Sequence, residues 1–98
     1  LATGFNAIAV GTNSGATGDN SLALGDTANA KNTNDIAIGK SASASGSYSQ
    51  AIGSNSIASF SGSIALGSNS TANNTSTIAI GYKETSKNQP DQRKFQLN

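Results

Sequence analysis

The chain contains no cysteine, no histidine, no methionine and no tryptophan, and one proline among its 98 residues. Without Cys and His, it lacks the usual metal ligands, thiol nucleophiles and imidazole bases, and no disulfide can stabilise its fold. Charged residues make up 11% of the chain and the net charge is +1, which is too weak a basic field to attract nucleic acid. We therefore expect no catalytic, cofactor or metal site and no nucleic-acid partner.

Large apolar side chains are also scarce. Only 35% of the residues are hydrophobic, many of them are alanine, and the aromatic residues are two Tyr and three Phe. No apolar run reaches the roughly 18 residues of a membrane-spanning helix, so this segment is expected to make no direct membrane contact. A single domain of this length and composition buries little surface, so it needs stacked repeats, partner chains or both.

What the chain does have is glycine at a spacing of fourteen residues, six times without a slip. Each of these glycines closes a short apolar run, as in Ile36-Ala37-Ile38-Gly39. The six turn glycines are Gly11, Gly25, Gly39, Gly53, Gly67 and Gly81. A fixed period predicts copies of one structural unit stacked along residues 1–81, with function on a surface rather than in a pocket.

Aligned in rows of fourteen, the apolar runs share their positions, which we call slots. One slot holds alanine in every row, and the slots on either side hold Ile, Leu or Val with one exception. The residues expected to form the core or an interface between chains are Ile8, Ala9, Val10, Leu22, Ala23, Leu24, Ile36, Ala37, Ile38, Ala51, Ile52, Ile64, Ala65, Leu66, Ile78, Ala79 and Ile80. Because both faces are apolar, the run is predicted to be a strand buried on both sides.

A second strand is predicted around Ala16 and its equivalents, with small residues facing inwards and polar residues outwards. Fourteen residues are too few for helical repeats, which need about 33 or more. Each row is thus one coil of an all-β parallel β-solenoid, with glycine at one turn and Asn, Ser or Thr at the other. We expect the Ile8–Val10 face to pack inside its own coil and the alanine slot to meet other copies about a symmetry axis.

These rows resemble the head repeats of trimeric autotransporter adhesins, the YadA-like head family, whose unit has the form S-V-A-I-G-x-x-S-x-A-x-G. The row most similar to it runs from Asp35-Ile36-Ala37-Ile38-Gly39 to Ser43-Ala44-Ser45-Gly46. The resemblance covers residues 2 to about 81. It implies a single-stranded left-handed parallel β-roll assembled as a homotrimer.

The resemblance also implies a function. The segment would be the extracellular head of a longer anchored protein on the outer membrane of a Gram-negative bacterium. Its partners would be host matrix proteins or cell-surface receptors, or it would mediate cell-cell aggregation, and it would not be an enzyme. Phage tail fibres, which carry similar repeats, remain an alternative. A polysaccharide-cleaving enzyme would need paired carboxylates, and Asp26 and Asp35 lie at opposite ends of one coil.

Three residues depart from the repeat. Tyr48 replaces the usual Asn in one turn slot, Phe60 stands where other rows have Gly or Asn, and Gln50 replaces Ile or Leu. Tyr48 and Phe60 are candidate ligand-binding residues. In the other interpretation, Phe60 or Ile57 repacks to cover apolar surface near Gln50.

Residues 82–98 also depart from the pattern, because their apolar alternation is lost and Pro90 cannot donate a backbone hydrogen bond. We expect an irregular C-terminal extension that serves as a cap, as the start of the family's neck or as a linker. A short strand around Phe95 and Leu97 would suit the cap.

Overall fold

The computed structural model describes residues 1–86, which form twelve short strands in two parallel sheets. The first sheet contains β1 (Ile8–Val10), β3 (Leu22–Leu24), β5 (Ile36–Ile38), β7 (Gln50–Ile52), β9 (Ile64–Leu66) and β11 (Ile78–Ile80). The second contains β2 (Gly15–Ala16), β4 (Asn29–Ala30), β6 (Ser43–Ala44), β8 (Ile57–Ala58), β10 (Thr71–Ala72) and β12 (Thr85–Ser86). The chain alternates between the sheets, so one strand of each makes up a coil.

Strand register follows the sequence period. Ala23 lies beside Ala37 in the first sheet and Ala30 beside Ala44 in the second, so each residue pairs with the one fourteen positions further on. The strand order within each sheet is the order of the coils, and each pair of neighbouring parallel strands is connected through a strand of the other sheet. The prediction of an all-β parallel solenoid of fourteen-residue coils is therefore confirmed.

The glycine turn requires glycine for two reasons, which Gly25 illustrates. Its φ of +133° is a conformation that side chains oppose, and an added Cβ would lie 2.7 Å from the carbonyl oxygen of Gly39 in the next coil. The six turn glycines share φ values between +127° and +135°. Backbone stacks on backbone at this corner, so the corner excludes even a methyl group.

Two further slots are left-handed without being reserved for glycine. Asn6, Asn20 and Asn34 have φ near +59°, as expected for the asparagine turn slot. The second slot follows each turn glycine by two residues and was not singled out from the sequence. Its members are Asn13, Thr27, Ser41, Asn55, Asn69 and Lys83, with φ between +58° and +62°. Asparagine occupies this slot in half of the coils and could have indicated a left-handed turn residue. Thr27, Ser41 and Lys83 in the other coils obscure that pattern.

The interior of the coil is built from small side chains. Every buried hydrophobic residue of the described chain is alanine, and the largest fully buried side chains are those of Thr77, Asp35 and several serines. Except for Ser49, the buried hydroxyls donate to turn carbonyls three residues earlier, as Ser56 does to Gly53 at 2.8 Å. No buried side-chain nitrogen or oxygen of residues 1–86 lacks a hydrogen-bond partner.

The orientation of the first sheet is the reverse of the one expected. The members of the alanine slot from β3 to β11, such as Ala23 and Ala37, are 0% exposed inside the single coil, and Ala9 in β1 is partly buried. Ile8 and Val10, by contrast, are 55% and 53% exposed on the outside. The prediction that the alanine slot meets other copies, with Ile8 and Val10 packed inside, is therefore wrong. A coil of fourteen residues encloses room for methyl and hydroxyl groups, so the branched side chains lie outside.

The regular structure extends slightly further than predicted. In β12, Thr85 pairs with Thr71 and Ser86 with Ala72, so residues 82–86 continue the coil pattern instead of beginning an irregular extension. Lys83 occupies the left-handed slot at this last glycine turn. The proposed strand around Phe95 and Leu97 lies outside the described residues, and the role of the extension stays a prediction.

Candidate functional site

The outer face of the first sheet carries the large apolar side chains of the repeat, two per coil. We call this surface the apolar stripe. It consists of Ile8, Val10, Leu22, Leu24, Ile36, Ile38, Gln50, Ile52, Ile64, Leu66, Ile78 and Ile80. Their side chains alternate with the buried alanines and stack in register from coil to coil.

These side chains are only partly covered by their own chain. Leu24 is 39% and Leu66 40% exposed, and the other members between β3 and β11 are half-buried by their neighbours in the adjacent coils. A continuous apolar surface of this kind is rare on a monomeric protein and indicates contact with another molecule.

The outer face of the second sheet has the opposite character. Its outward residues along β2 to β12 are Gly15, Asn29, Ser43, Ile57, Thr71 and Thr85, and Ile57 is the one large apolar side chain among them. Thr17 donates from its hydroxyl to the carbonyl of Lys31 in the next coil at 3.1 Å. The molecule therefore has one apolar and one polar sheet face, separated by the two rows of turns.

Tyr48 and Phe60 lie in adjacent coils, on the turns that contain the asparagine slot rather than the turn glycine. They are 62% and 41% exposed. The turn at Tyr48 is irregular, because both Ser47 and Tyr48 have positive φ, of +69° and +59°. A non-glycine residue in this conformation is strained unless its side chain is Asn or Asp. The structure thus places both candidate ligand-binding residues at the surface, and it holds Tyr48 there in an unfavourable backbone conformation.

The alternative role suggested for Ile57 does not fit the geometry. Gln50 points outwards from the first sheet, since Ala51 beside it is buried, and Ile57 points outwards from the second sheet, since Ala58 is buried. The two side chains therefore lie on opposite faces of the coil. Ile57, which is 41% exposed, does not cover the surface near Gln50.

Asp26 and Asp35 do not form a catalytic pair. Asp35 is 0% exposed, and its carboxylate accepts hydrogen bonds from the Ser49 hydroxyl and from the backbone N–H groups of Ser49 and Asn32, at 2.9, 3.0 and 2.9 Å. Asp26 is exposed at a glycine-type turn. A carboxylate enclosed in this way cannot reach a polysaccharide, so Asp35 has a structural role. Among residues 1–86, no group of three or more His, Cys, Asp or Glu could hold a metal ion.

Comparison with known proteins agrees with the repeat architecture. A family model described as the YadA head domain repeat (2 copies) matches residues 2–28, 30–56, 44–70 and 61–83. A search of the curated proteins found no match. In the described part of the chain, no helix has the length and apolar character needed to cross a membrane.

Proposed function

Because this chain belongs to the YadA head repeat family, whose repeats are structural parts of adhesins, we propose that it is the head segment of a trimeric bacterial surface adhesin. The observation that carries the proposal is the apolar stripe, which runs along a solenoid matched by the family model. No observation favours the phage tail fibre or the polysaccharide-cleaving enzyme.

The composition of the two sides of the first sheet supports assembly. Inside the coil, the sheet contributes methyl and hydroxyl groups, whose burial yields little hydrophobic free energy. Outside, Ile38, Ile52 and their equivalents leave large branched side chains partly exposed to water. Three copies packed stripe to stripe about a common axis would bury that surface and form the core that each coil lacks.

Such a trimer would direct the polar sheet and both rows of turns outwards. Three chains and many coils would then present the same groups repeatedly, which raises avidity without a tight single site. We propose that this outer surface attaches to host matrix proteins or cell-surface receptors. The segment would act on the outer membrane surface of a Gram-negative bacterium, as part of a longer anchored protein.

Within this surface, Tyr48 and Phe60 are the proposed contact residues. Aromatic side chains on a mostly Ser, Thr and Asn surface offer the largest apolar contact area, and aromatic residues are enriched in binding hot spots.

The first experiment measures the molecular mass of the 98-residue chain by light scattering on the eluting peak, over a dilution series. The proposal predicts a mass three times the 9.7 kDa of one chain at every concentration. A folded species of 9.7 kDa would show that the coil is self-sufficient and would overturn the trimer.

A second experiment tests adhesion with the immobilised trimer and a panel of purified matrix proteins and cultured host cells. Tyr48→Ser and Phe60→Ser are expected to reduce retention of the bound partner while leaving the mass of the trimer unchanged. Tyr82→Ser is the matched control, because Tyr82 is 69% exposed but lies on the other row of turns. Equal retention by all three variants would remove Tyr48 and Phe60 from the binding surface.

A further inference from the structure

We infer that Gln50 fixes the axial alignment of the three chains, because its amide is satisfied only when three copies place it at the same level. This inference rests on the trimer proposed above. It concerns how far one chain is shifted along the axis relative to the others, which neither the fold nor the period determines.

Gln50 is the single polar member of the apolar stripe. It stands in β7 between Ile36 and Ile64, with which it pairs in register in the neighbouring strands. Its side chain is half-buried by these neighbours. Its amide makes no hydrogen bond with any residue in the described range 1–86, so the coil itself gives this group no partner.

The repeat leaves the axial alignment of the chains open. Since every coil presents nearly the same stripe, a shift of one chain by one coil, about 4.8 Å, replaces Ile and Leu contacts by other Ile and Leu contacts. Such a shift loses contacts only at the two ends. Register that rests on a uniform pattern is weakly specified, as it is in flat, regular strands.

Gln50 removes this degeneracy. A three-fold axis brings the same residue of each chain to one level, where each amide can donate from its NH₂ group to the carbonyl oxygen of the next and close a ring. After a shift of one coil, the amide would face Ile36 or Ile64 of another chain and lose its partners in a dry interface. One polar residue in an apolar repeat fixes register in coiled coils by the same mechanism.

The test moves the glutamine from its own coil to another coil of the apolar stripe. In the variant Q50I/I78Q, Gln50→Ile restores the apolar residue and Ile78→Gln places the amide two coils away, in the same slot on β11. Wild-type and mass-tagged variant chains are unfolded together and refolded, and native mass spectrometry counts the mixed trimers. Two coils are chosen because a compensating shift would then lose a large part of the interface.

We expect mixed trimers to fall about tenfold or more below their statistical share, because each would bury an amide opposite isoleucine. Thr71→Gln is the control, because it adds glutamine to the polar sheet face and should mix freely with the wild type. Statistical mixing of Q50I/I78Q would overturn the role of Gln50. Monomers of the wild type would instead overturn the proposed trimer.

A second measurement avoids the double variant. The chain has no cysteine, so Lys40→Cys in the exposed turn allows a single spin label per chain. With Gln50 present we expect one distance between labels. With Gln50→Ile we expect additional longer distances, because an axial shift of one chain adds a component of about 4.8 Å per coil at right angles to the original separation. The same narrow distribution in both proteins would overturn the inference, and Gln50→Ile itself should fold, because Ile is common in this slot.

Discussion

The hydroxyl of Ser49 donates a 2.9 Å hydrogen bond to Oδ1 of Asp35 across two adjacent coils, with both residues fully buried. The N–H of Ser49 donates to the same oxygen at 3.0 Å. In other coils the equivalent N–H donates to the backbone carbonyl three residues earlier, as Ser63 does to Phe60. The Asp35 carboxylate therefore replaces a turn carbonyl at residues 46–49, where the backbone of the turn is irregular.

We expect Asp35→Ala to destabilise the protein by about 1–3 kcal/mol for each buried donor that it leaves without an acceptor. The donors concerned are the N–H groups of Asn32 and Ser49. Asp35→Ser should cost less, because serine is common in this slot, and in the next coil the Ser49 hydroxyl accepts from the N–H of Gly46 at 3.2 Å. Urea unfolding followed by circular dichroism measures the difference, and equal midpoints for the two variants would contradict the role given to Asp35.

Ala37→Leu should disrupt the coil itself, because Ala37 is 0% exposed inside it. Overpacking a filled interior costs about 1–3 kcal/mol, and more where the walls are backbone on both sides. The neighbouring change Ile38→Leu alters the apolar stripe without a change of volume and serves as the control. Thermal unfolding should show a lower midpoint for Ala37→Leu alone. An unchanged midpoint with an altered mass would restore the alanine slot to an interface between chains.

Ile38→Ala should weaken the trimer much more than Ile57→Ala. Both substitutions remove the same atoms, but Ile38 lies on the apolar stripe and Ile57 on the polar sheet face. If assembly buries Ile38 fully, its truncation costs about 2–5 kcal/mol per chain. Sedimentation equilibrium over a dilution series gives the dissociation midpoint of each variant. Equal midpoints would show that the stripe is not the interface.

Gly25→Ala and Gly15→Ala should have opposite outcomes. At Gly25, a φ of +133° and a Cβ position 2.7 Å from the Gly39 carbonyl oxygen oppose any side chain, and strain of this kind costs on the order of 1–3 kcal/mol. At Gly15, an added Cβ would meet only Oδ1 of Asn29, at an ordinary 3.5 Å. Alanine there should be neutral or stabilise the fold by about 0.4–1 kcal/mol. Urea midpoints compare the two, and a tolerated Gly25→Ala would contradict the tight stacking at this turn.

The sequence predicted the parts of this structure that depend on period. Spacing alone predicted the two strands per coil, their parallel register and the turns at the glycines from Gly11 to Gly81. It did not give the orientation of the Ile36–Ile38 strand, because both of its faces are apolar and alternation carries no direction. Volume decides the matter, since the space between the three-residue strand and the two-residue strand of one coil accepts the methyl group of Ala37 but not the branched side chain of Ile38.

The candidate site could be predicted only in part, for a related reason. Tyr48 and Phe60 could be identified because they differ from the other residues in their slots, and the structure places both at the surface. The apolar stripe could not be identified as a surface, because repeated Ile and Leu residues usually indicate a buried core. The hydrogen bond between Asp35 and Ser49 could not be predicted either. The two residues occupy the same slot in successive rows, and nothing in the local sequence indicates that an aspartate in a slot otherwise rich in serine is buried.

Each coil hydrogen-bonds only to the coils directly beside it, and every coil has the same length. Loss or duplication of one fourteen-residue unit, such as residues 21–34, would therefore bring equivalent coils next to each other. It would shorten or lengthen the solenoid by about 4.8 Å. The gene for such a protein can change the reach of its product in fixed steps by recombination between its own repeats. The length of the solenoid thus becomes an inherited trait that can change without any new fold.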